Sequence, residues 1–273
     1  MYYVFNQSNI GYSHIKNKKP CQDFSATYKD NERTIVTCCD GHGGDVYIRS
    51  NIGSHNASNA VINVFNLLSF YEITRENEEE LTKKIKLNLL CEWNKLVEEQ
   101  LGNKPIRRNE CEGLTDDEID ALKDNPVRAF GTTLTGAMVI RNKLLVVGIG
   151  DTEVIGIRSG KIIRLLESED DPAANVTYSM CQENAYKHLR VRILDWHDFD
   201  GIILCTDGLS SPYQSYENFE NSFIKPIVFK TLETDGMSHI SEFVDNIASK
   251  LGVGDDVSLS FILKGSTIKK YYK

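Results

Sequence analysis

Apolar residues follow two different spacings along the chain, and this pattern predicts strands and helices in separate blocks. Apolar and β-branched runs that end at glycines or acids are typical of strands. The predicted strands are two or three segments within 2–29, then 35–39, 131–140, 144–152, 153–158, 161–166, 191–196, 201–205 and 257–262. The predicted helices are a stretch of about 25 residues after Gly44, then 81–96, 115–123, 216–232 and 238–251.

The helical segments carry apolar residues on one face. Leu81, Ile85, Leu89, Trp93 and Leu96 recur at steps of three and four residues, which is a clear amphipathic pattern. A second such face, in the last helix, comprises Ile240, Phe243, Val244, Ile247 and Leu251. Gly53 is a weak point in the first long helix. Thr115 and Glu118 have the spacing of a capping box, which predicts that a short helix begins there.

The order of these elements predicts an α+β protein. Neighbouring strands such as 153–158 and 161–166 are joined by tight turns, which indicates antiparallel meanders and not βαβ units. We expect one domain over residues 1–265, followed by a basic, frayed tail at 266–273. The polar segments 102–128 and 167–189 are expected to be surface insertions.

Composition narrows the possible functions. The chain has 273 residues, 41% hydrophobic and 26% charged, which is ordinary for a globular protein, and a formal net charge of −8. The negative charge disfavours nucleic acid as a partner and suits a protein that attracts cations. No apolar run reaches membrane-spanning length, and the N-terminal residues lack the features of a signal peptide.

The seven cysteines are scattered and lack the spacing of a zinc site. Cys38, Cys39 and Cys205 lie in apolar strands, where thiols behave as small hydrophobic side chains. We expect reduced thiols and therefore a cytoplasmic protein.

Four acids share one pattern: each lies at a strand end within a glycine-containing turn. They are Asp40, Asp151, Asp207 and Asp255. Taken alone, Asp-Gly and Gly-Gly pairs also occur in ordinary hairpin turns. If the four carboxylates converge, they repel one another, and hard divalent cations are the groups that neutralise such clusters. A pair of such cations is well suited to hydrolysis of a phosphate ester.

A small basic cluster, Lys16, Lys18 and Lys19, precedes the acid at Asp23. A lysine there could hold a phosphate group. The alternative is an ordinary solvated loop, which is what most such clusters are.

Six motifs, taken in order, resemble those of the metal-dependent protein serine/threonine phosphatases of type 2C. They are Gln22-Asp23, Asp40-Gly41-His42-Gly43-Gly44, Gly131-Thr132-Thr133, Gly150-Asp151-Thr152, Thr206-Asp207-Gly208 and Asp255-Asp256-Val257-Ser258. The segment from Ser13 to Asp23 resembles a mainly bacterial branch of that family. The resemblance implies a four-layer α-β-β-α sandwich of two antiparallel sheets flanked by helix pairs.

The resemblance also implies a binuclear Mn²⁺ or Mg²⁺ centre and a role for each motif residue. Asp40 would bridge the two metals, the Gly41 carbonyl would bind the second, and Asp207 and Asp255 would bind the first. Asp23 would support the metal waters. Asp151, with Asp207, would form a weaker third metal site.

His42 would act as the general acid for the leaving seryl or threonyl oxygen; the alternative is a histidine that orients Asp40. Three positions depart from the family pattern. Gln22 replaces a glutamate, Lys18 stands where many members have a phosphate-binding arginine, and Thr152 replaces a serine. Lysine lacks the bidentate fork of arginine, so we expect weaker capture of substrate.

The sequence therefore predicts metal-dependent hydrolysis of phosphoserine and phosphothreonine in proteins, by a water bound at the binuclear centre. A cognate serine/threonine kinase would be a further partner. Two alternatives stay open: an inactive regulatory or scaffold domain with the same fold, and a hydrolase of small phosphoesters.

Overall fold

The computed structural model describes residues 2–74, 76–166 and 177–271, and they form two five-stranded sheets. Along the first sheet the strands are β1 (Tyr2–Asn9), β10 (Val257–Lys264), β9 (Gly201–Cys205), β6 (Glu153–Arg158) and β7 (Lys161–Arg164). Along the second they are β2 (Phe24–Lys29), β3 (Arg33–Cys39), β4 (Leu134–Ile140), β5 (Lys143–Ile149) and β8 (Arg190–Asp195). Every paired neighbour is antiparallel, as the tight turns predict.

Helices of very different lengths connect these strands. The helices are α1 (Tyr12–Lys16), α2 (Ser50–Asn66), α3 (Glu78–Asn103), α4 (Asp116–Asp124), α5 (Ala185–His188), α6 (Asp207–Ser210), α7 (Tyr216–Phe219), α8 (Lys225–Lys230), α9 (Gly236–Ala248) and α10 (Gly265–Tyr271). Short 3₁₀ turns lie at Phe70–Glu72, Arg108–Cys111, Pro126–Phe130 and Trp196–Asp198. The insertion at 102–128 therefore contains local structure. Most of the second expected insertion, 167–176, lies outside the described residues.

Three apolar clusters define four layers, and they confirm the α-β-β-α sandwich. Between the sheets, side chains such as Val36 and Val146 pack with Ile202 and Leu204. The outer face of the second sheet is covered by α2 and α3. The outer face of the first sheet packs against α8 and α9. Burial of these faces provides the main stabilisation of the fold.

Gly53 is a point of close packing and not a weak point in α2. A Cβ atom there would lie 2.1 Å from the carbonyl oxygen of Phe130, and the indole N–H of Trp93 donates to the Gly53 carbonyl at 3.2 Å. The absence of a side chain thus allows α2, α3 and the turn before β4 to approach one another.

Several helix boundaries differ from the sequence expectation. Helix α2 begins at Ser50 and not directly after Gly44, because Arg49 is held by the backbone of the turn at Ala129. The helix expected over 216–232 is divided by a π-helical turn at Glu220–Ile224, just before Pro226, which has no N–H to continue the ladder. In α3 the buried position that follows Trp93 is Val97 and not Leu96.

The C-terminal region also differs from the sequence expectation in two places. Helix α9 ends at Ala248, because the Val253 N–H turns back to the Ile247 carbonyl at 2.8 Å, and Leu251 is 97% exposed instead of lying on the apolar face. The expected frayed tail begins instead as helix α10, whose Ile268 is completely buried.

All seven cysteines are free thiols, and Cys38, Cys39 and Cys205 are buried, as expected for small hydrophobic side chains in strands. Among the described residues, no helix is both long enough and apolar enough to span a membrane.

Candidate metal centre

Acidic side chains from both sheets line one cavity of about 200 Å³. These acids are Asp23, Asp40, Asp151, Asp207, Asp255 and Asp256. Those beside β2, β3 and β5 belong to the second sheet, and those beside β9 and β10 belong to the first. The cavity therefore lies where strand ends of the two sheets meet.

The backbone around Asp40 is fixed by two threonines of the segment before β4. The Asp40 N–H donates to Thr133 Oγ1 at 2.9 Å, and its carbonyl accepts from Thr133 N at 2.8 Å and from Thr132 Oγ1 at 2.8 Å. The next residue, Gly41, packs so tightly that a Cβ atom would lie 2.5 Å from the Gln22 carbonyl oxygen. Glycine is required here because a side chain would push the two segments apart.

Asp23 is a buried acid whose carboxylate has a hydrogen-bond partner. Its Oδ2 accepts a hydrogen bond from Thr206 Oγ1 at 2.7 Å, and Thr206 Oγ1 accepts in turn from the Ser258 N–H at 2.9 Å. Burial, followed by the charges of Asp256 and Asp207, raises the pKa of Asp23 to about 8. The carboxylate form is thus disfavoured unless a positive charge compensates it.

The same effects act on the neighbouring carboxyl groups. Burial raises the pKa of Asp40 well above its usual value, and the charges of Asp23, Asp207 and Asp151 raise it further. Burial and the charge of Asp207 also raise the pKa of Asp255. The cluster therefore stores electrostatic repulsion that a bound cation would relieve.

The donor set of the cavity fits hard divalent cations. It consists of carboxylates and the backbone of Gly41, which are the oxygen ligands that Mg²⁺ and Mn²⁺ prefer. Within residues 2–74, 76–166 and 177–271, no three His, Cys, Asp or Glu side chains are close enough to enclose an ion by themselves.

His42 also lines the cavity. Its Nε2 atom is buried and makes no hydrogen bond with the described residues, and its ring lies 5.0 Å from that of Tyr47. Burial lowers the pKa of His42 to about 4, although the charge of Asp207 opposes this shift. The buried ring thus has one nitrogen, Nε2, available to a ligand.

The predicted site residues do not all occupy equivalent places. The acids, Gly41 and His42 come together at the cavity, whereas Lys18 is exposed in the turn after α1, with a positive φ of 56°. The motif residue Thr152 is not among the residues that line the cavity, and its hydroxyl lies 3.1 Å from that of Thr133.

Sequence reasoning missed two residues at the cavity, His14 and Thr177. His14 Nδ1 lies 2.7 Å from Asp256 Oδ2, and Thr177 Oγ1 donates to Asp151 Oδ2 at 2.8 Å. The sequence signal for His14 was its place in the segment that leads to Gln22-Asp23. Nothing local indicates that it meets a residue 242 positions away.

Asp256 has a structural role that the sequence did not suggest. Its carboxylate accepts from the backbone N–H groups of Gly11 at 2.7 Å and of Gln22 at 2.6 Å, in addition to contacting His14. It thereby fixes the segment between β1 and β2 to the start of β10. Charge-assisted bonds of this kind are among the stronger hydrogen bonds in proteins.

Comparison with known proteins agrees with this architecture. The family model described as "Protein phosphatase 2C" matches residues 10–245. The serine/threonine phosphatase Stp1 of Staphylococcus aureus superposes with a TM-score of 0.61 at 14% identity, covering 96% of this chain and 95% of that one. The Mycobacterium tuberculosis phosphatase PstP/Ppp gives 0.55 at 16% identity, with coverages of 96% and 98%.

A structure of the catalytic domain of PstP in complex with two manganese ions gives a TM-score of 0.53 at 17% identity, covering 96% of this chain and 97% of that one. No curated protein matches the chain in sequence. Because the family model spans most of the chain, this protein belongs to the protein phosphatase 2C family.

Removing the negative charge of Asp207 should stabilise the metal-free protein but reduce the stabilisation that bound metal provides. In EDTA we expect Asp207→Asn to raise the thermal unfolding midpoint, because the Asp207 charge destabilises the carboxylate forms of Asp23, Asp40 and Asp255. With saturating Mn²⁺ the wild type should gain about 3 kcal/mol of stability at 100 times the dissociation constant, and the variant should gain less. Differential scanning fluorimetry measures both.

Asp117→Asn, at an exposed position of α4, is the matched control and should change neither result. An Asp207→Asn protein that unfolds earlier in EDTA, or that keeps the full gain with Mn²⁺, would contradict the interpretation of the acids as a repelling, metal-binding cluster.

Proposed function

We propose that this protein hydrolyses phosphoserine and phosphothreonine in proteins, using a water bound at a binuclear Mn²⁺ or Mg²⁺ centre. The observation that carries the proposal is the convergence of carboxylates from both sheets on one cavity, in a chain of the phosphatase 2C family. The manganese complex of PstP, a protein of the same fold, supports the choice of metal.

Each acid has a proposed part in holding the metals. Asp40 would contribute to both ions, and the Gly41 carbonyl would hold the second. Asp207 and Asp255 would hold the first, and Asp23 would support the water ligands. Asp151, together with Asp207, would hold a weaker third ion. The ions would supply an activated water and neutralise charge on the transferred phosphoryl oxygens.

His42 is the proposed proton donor to the leaving oxygen of serine or threonine. Its buried, unpaired Nε2 and its place in the cavity wall support contact with substrate. The alternative role, orientation of Asp40, requires a hydrogen bond between the two side chains.

Two residues are candidates for contact with the substrate phosphate. Lys18 is the motif-derived candidate, and His14 is the candidate that the cavity favours. Since Asp256 holds Nδ1 of His14, the ring is fixed and its Nε2 is the atom left to face a ligand. A residue held in this way loses little rotamer freedom when substrate binds.

The cavity also bears on the alternative functions. A small cavity lined by carboxylates differs from the deep, largely apolar pocket that a small-molecule hydrolase would use. An inactive scaffold would not need so many acids retained at the cost of mutual repulsion. The proposed partners are therefore a phosphoprotein and its kinase, and the reduced thiols favour a cytoplasmic setting.

The proposal predicts turnover of a phosphothreonine peptide by the purified protein when Mn²⁺ is present. Activity should vanish with EDTA and in Asp207→Ala, because that variant lacks a ligand of the first metal. Phosphate release is the measurement. If two metals bind, as measured by calorimetry, and no phosphate is released, the substrate class is wrong; if no metal binds either, the scaffold alternative is favoured.

The proton-donor role of His42 predicts a loss that depends on the leaving group. His42→Ala should reduce kcat on the phosphothreonine peptide by a factor of about 10² to 10⁴, because the threonyl oxygen needs a proton. On p-nitrophenyl phosphate, whose leaving phenolate needs none, the loss should be far smaller. Equal losses on both substrates would instead support the alternative role of orienting Asp40.

The two candidate phosphate contacts can be separated by inhibition with inorganic phosphate. His14→Ala is expected to raise KM for the peptide and the inhibition constant of phosphate about tenfold, since a charge-assisted hydrogen bond is lost. Lys18→Ala, at the exposed position, should change each less than twofold. The reverse ranking would assign the phosphate contact to Lys18.

A further inference from the structure

A second depression, which we call the side groove, opens directly from the carboxylate cavity. Its volume is about 300 Å³, and it shares Gln22 and Gly43 with the cavity. Part of its lining is Lys19 and Pro20 of the turn after α1. Another part, which we call the insertion wall, is Glu110 and Glu112 of the 102–128 insertion.

The junction of the two spaces contains a buried acceptor without a donor. The Gln22 amide nitrogen donates to the His42 carbonyl at 3.2 Å and to Ser50 Oγ at 2.5 Å, which leaves Oε1 with no partner among the described residues. Gln22 is only 8% exposed, and a Cβ atom on Gly43 would lie 3.8 Å from this Oε1. A buried carbonyl of this kind calls for a donor from a ligand or from ordered water.

The insertion wall is held rigidly against the body of the protein. Arg49, which is 6% exposed, makes two hydrogen bonds of 2.9 Å to the Glu110 carboxylate and donates to the Lys104 carbonyl at 2.6 Å. Glu110 Oε1 also accepts from the Arg107 N–H at 3.0 Å. A bidentate pair of this kind fixes geometry, so the groove is preformed.

Apart from the paired Glu110, the charged residues of the side groove have a net negative charge. Arg49 compensates Glu110, whereas Asp45 and Glu112 are exposed and have no ion pair among the described residues. Lys19, which also lines the groove, offsets one of these two charges in part. A groove with this balance attracts positively charged side chains.

The groove also continues beyond the insertion wall. A further depression of about 500 Å³ shares Ile48, Asn51 and Glu110 with it. A path that runs from a small reaction cavity through two larger depressions suits an extended polypeptide better than an isolated phosphoester.

We infer that the side groove binds the substrate polypeptide beside the phosphorylated residue, with a lysine or arginine of the substrate placed near Asp45 and Glu112. This inference rests on the proposed phosphatase function and adds a sequence preference to it. The 102–128 insertion is then a specificity element and not only a surface addition.

The test uses pairs of phosphothreonine peptides that differ only in having a lysine or a glutamate close to the phosphothreonine. One pair carries this residue on the N-terminal side and another pair on the C-terminal side. With Mn²⁺ present, kcat/KM should be about threefold to tenfold higher for the lysine peptide in one of the two pairs, as expected for one or two exposed charge pairs. The preference should weaken at high salt, which screens exposed charges. In Glu112→Lys the preference should disappear or reverse.

Asp117→Lys is the matched control, because it makes the same change of charge at an exposed residue of α4 that is not part of the groove wall described above. It should keep the wild-type ratio. A wild type with no preference, a preference for glutamate, or a Glu112→Lys ratio equal to that of the wild type would overturn the inference, although the phosphatase function would stand.

Binding of the same peptides, labelled with fluorescein, is measured by anisotropy on the Mn²⁺-loaded protein. This measurement tests the side groove separately from the phosphatase function. If no peptide is hydrolysed, the proposed function fails, while the ratio of dissociation constants still tests the groove. Equal affinity for lysine and glutamate peptides in that measurement would overturn the inference independently of turnover.

Discussion

Mutual repulsion among carboxylates is the constraint on which the rest of this structure depends. Acids from both sheets are held in one small cavity, where burial and their neighbours raise the pKa values of Asp23, Asp40 and Asp255. The surrounding hydrogen bonds hold them in place: threonine hydroxyls fix Asp23 and the backbone of Asp40. The sandwich thus provides a rigid frame for a locally unfavourable arrangement, which is typical of sites built to bind ions.

Local patterns in the sequence predicted the frame well. Alternation, glycine turns and helical periodicity are properties of neighbouring residues, so strands such as β5 and the capping box at Thr115 could be read directly. The order of the motifs then gave the fold and family. Four acids of the cavity, Asp40, Asp151, Asp207 and Asp255, were also identified, because each lies at a strand end beside a glycine, whereas Asp23 was identified through the family resemblance.

Features that depend on distant partners were not predicted. His14 gains its place from Asp256, Gly53 from a carbonyl in another turn, and the end of α9 from a backbone bond made beyond Leu251. Apolar periodicity alone extended α9 too far, since it cannot detect where a turn takes over the last carbonyls. Likewise, alignment with the family motif indicated that Lys18 contacts the substrate phosphate. In the structure His14, and not Lys18, lines the cavity.

The pairing of β1 with β10 has a consequence for how the protein is made. Tyr2 pairs with Lys264, and Asn9 pairs with Val257, so β1 cannot complete its hydrogen bonds before β10 has been synthesised. Asp255 and Asp256 lie just before β10, and therefore the carboxylate cavity also needs this part of the chain. The cavity therefore depends on contacts between segments about 250 residues apart in sequence, and such long-range closure is slow to form.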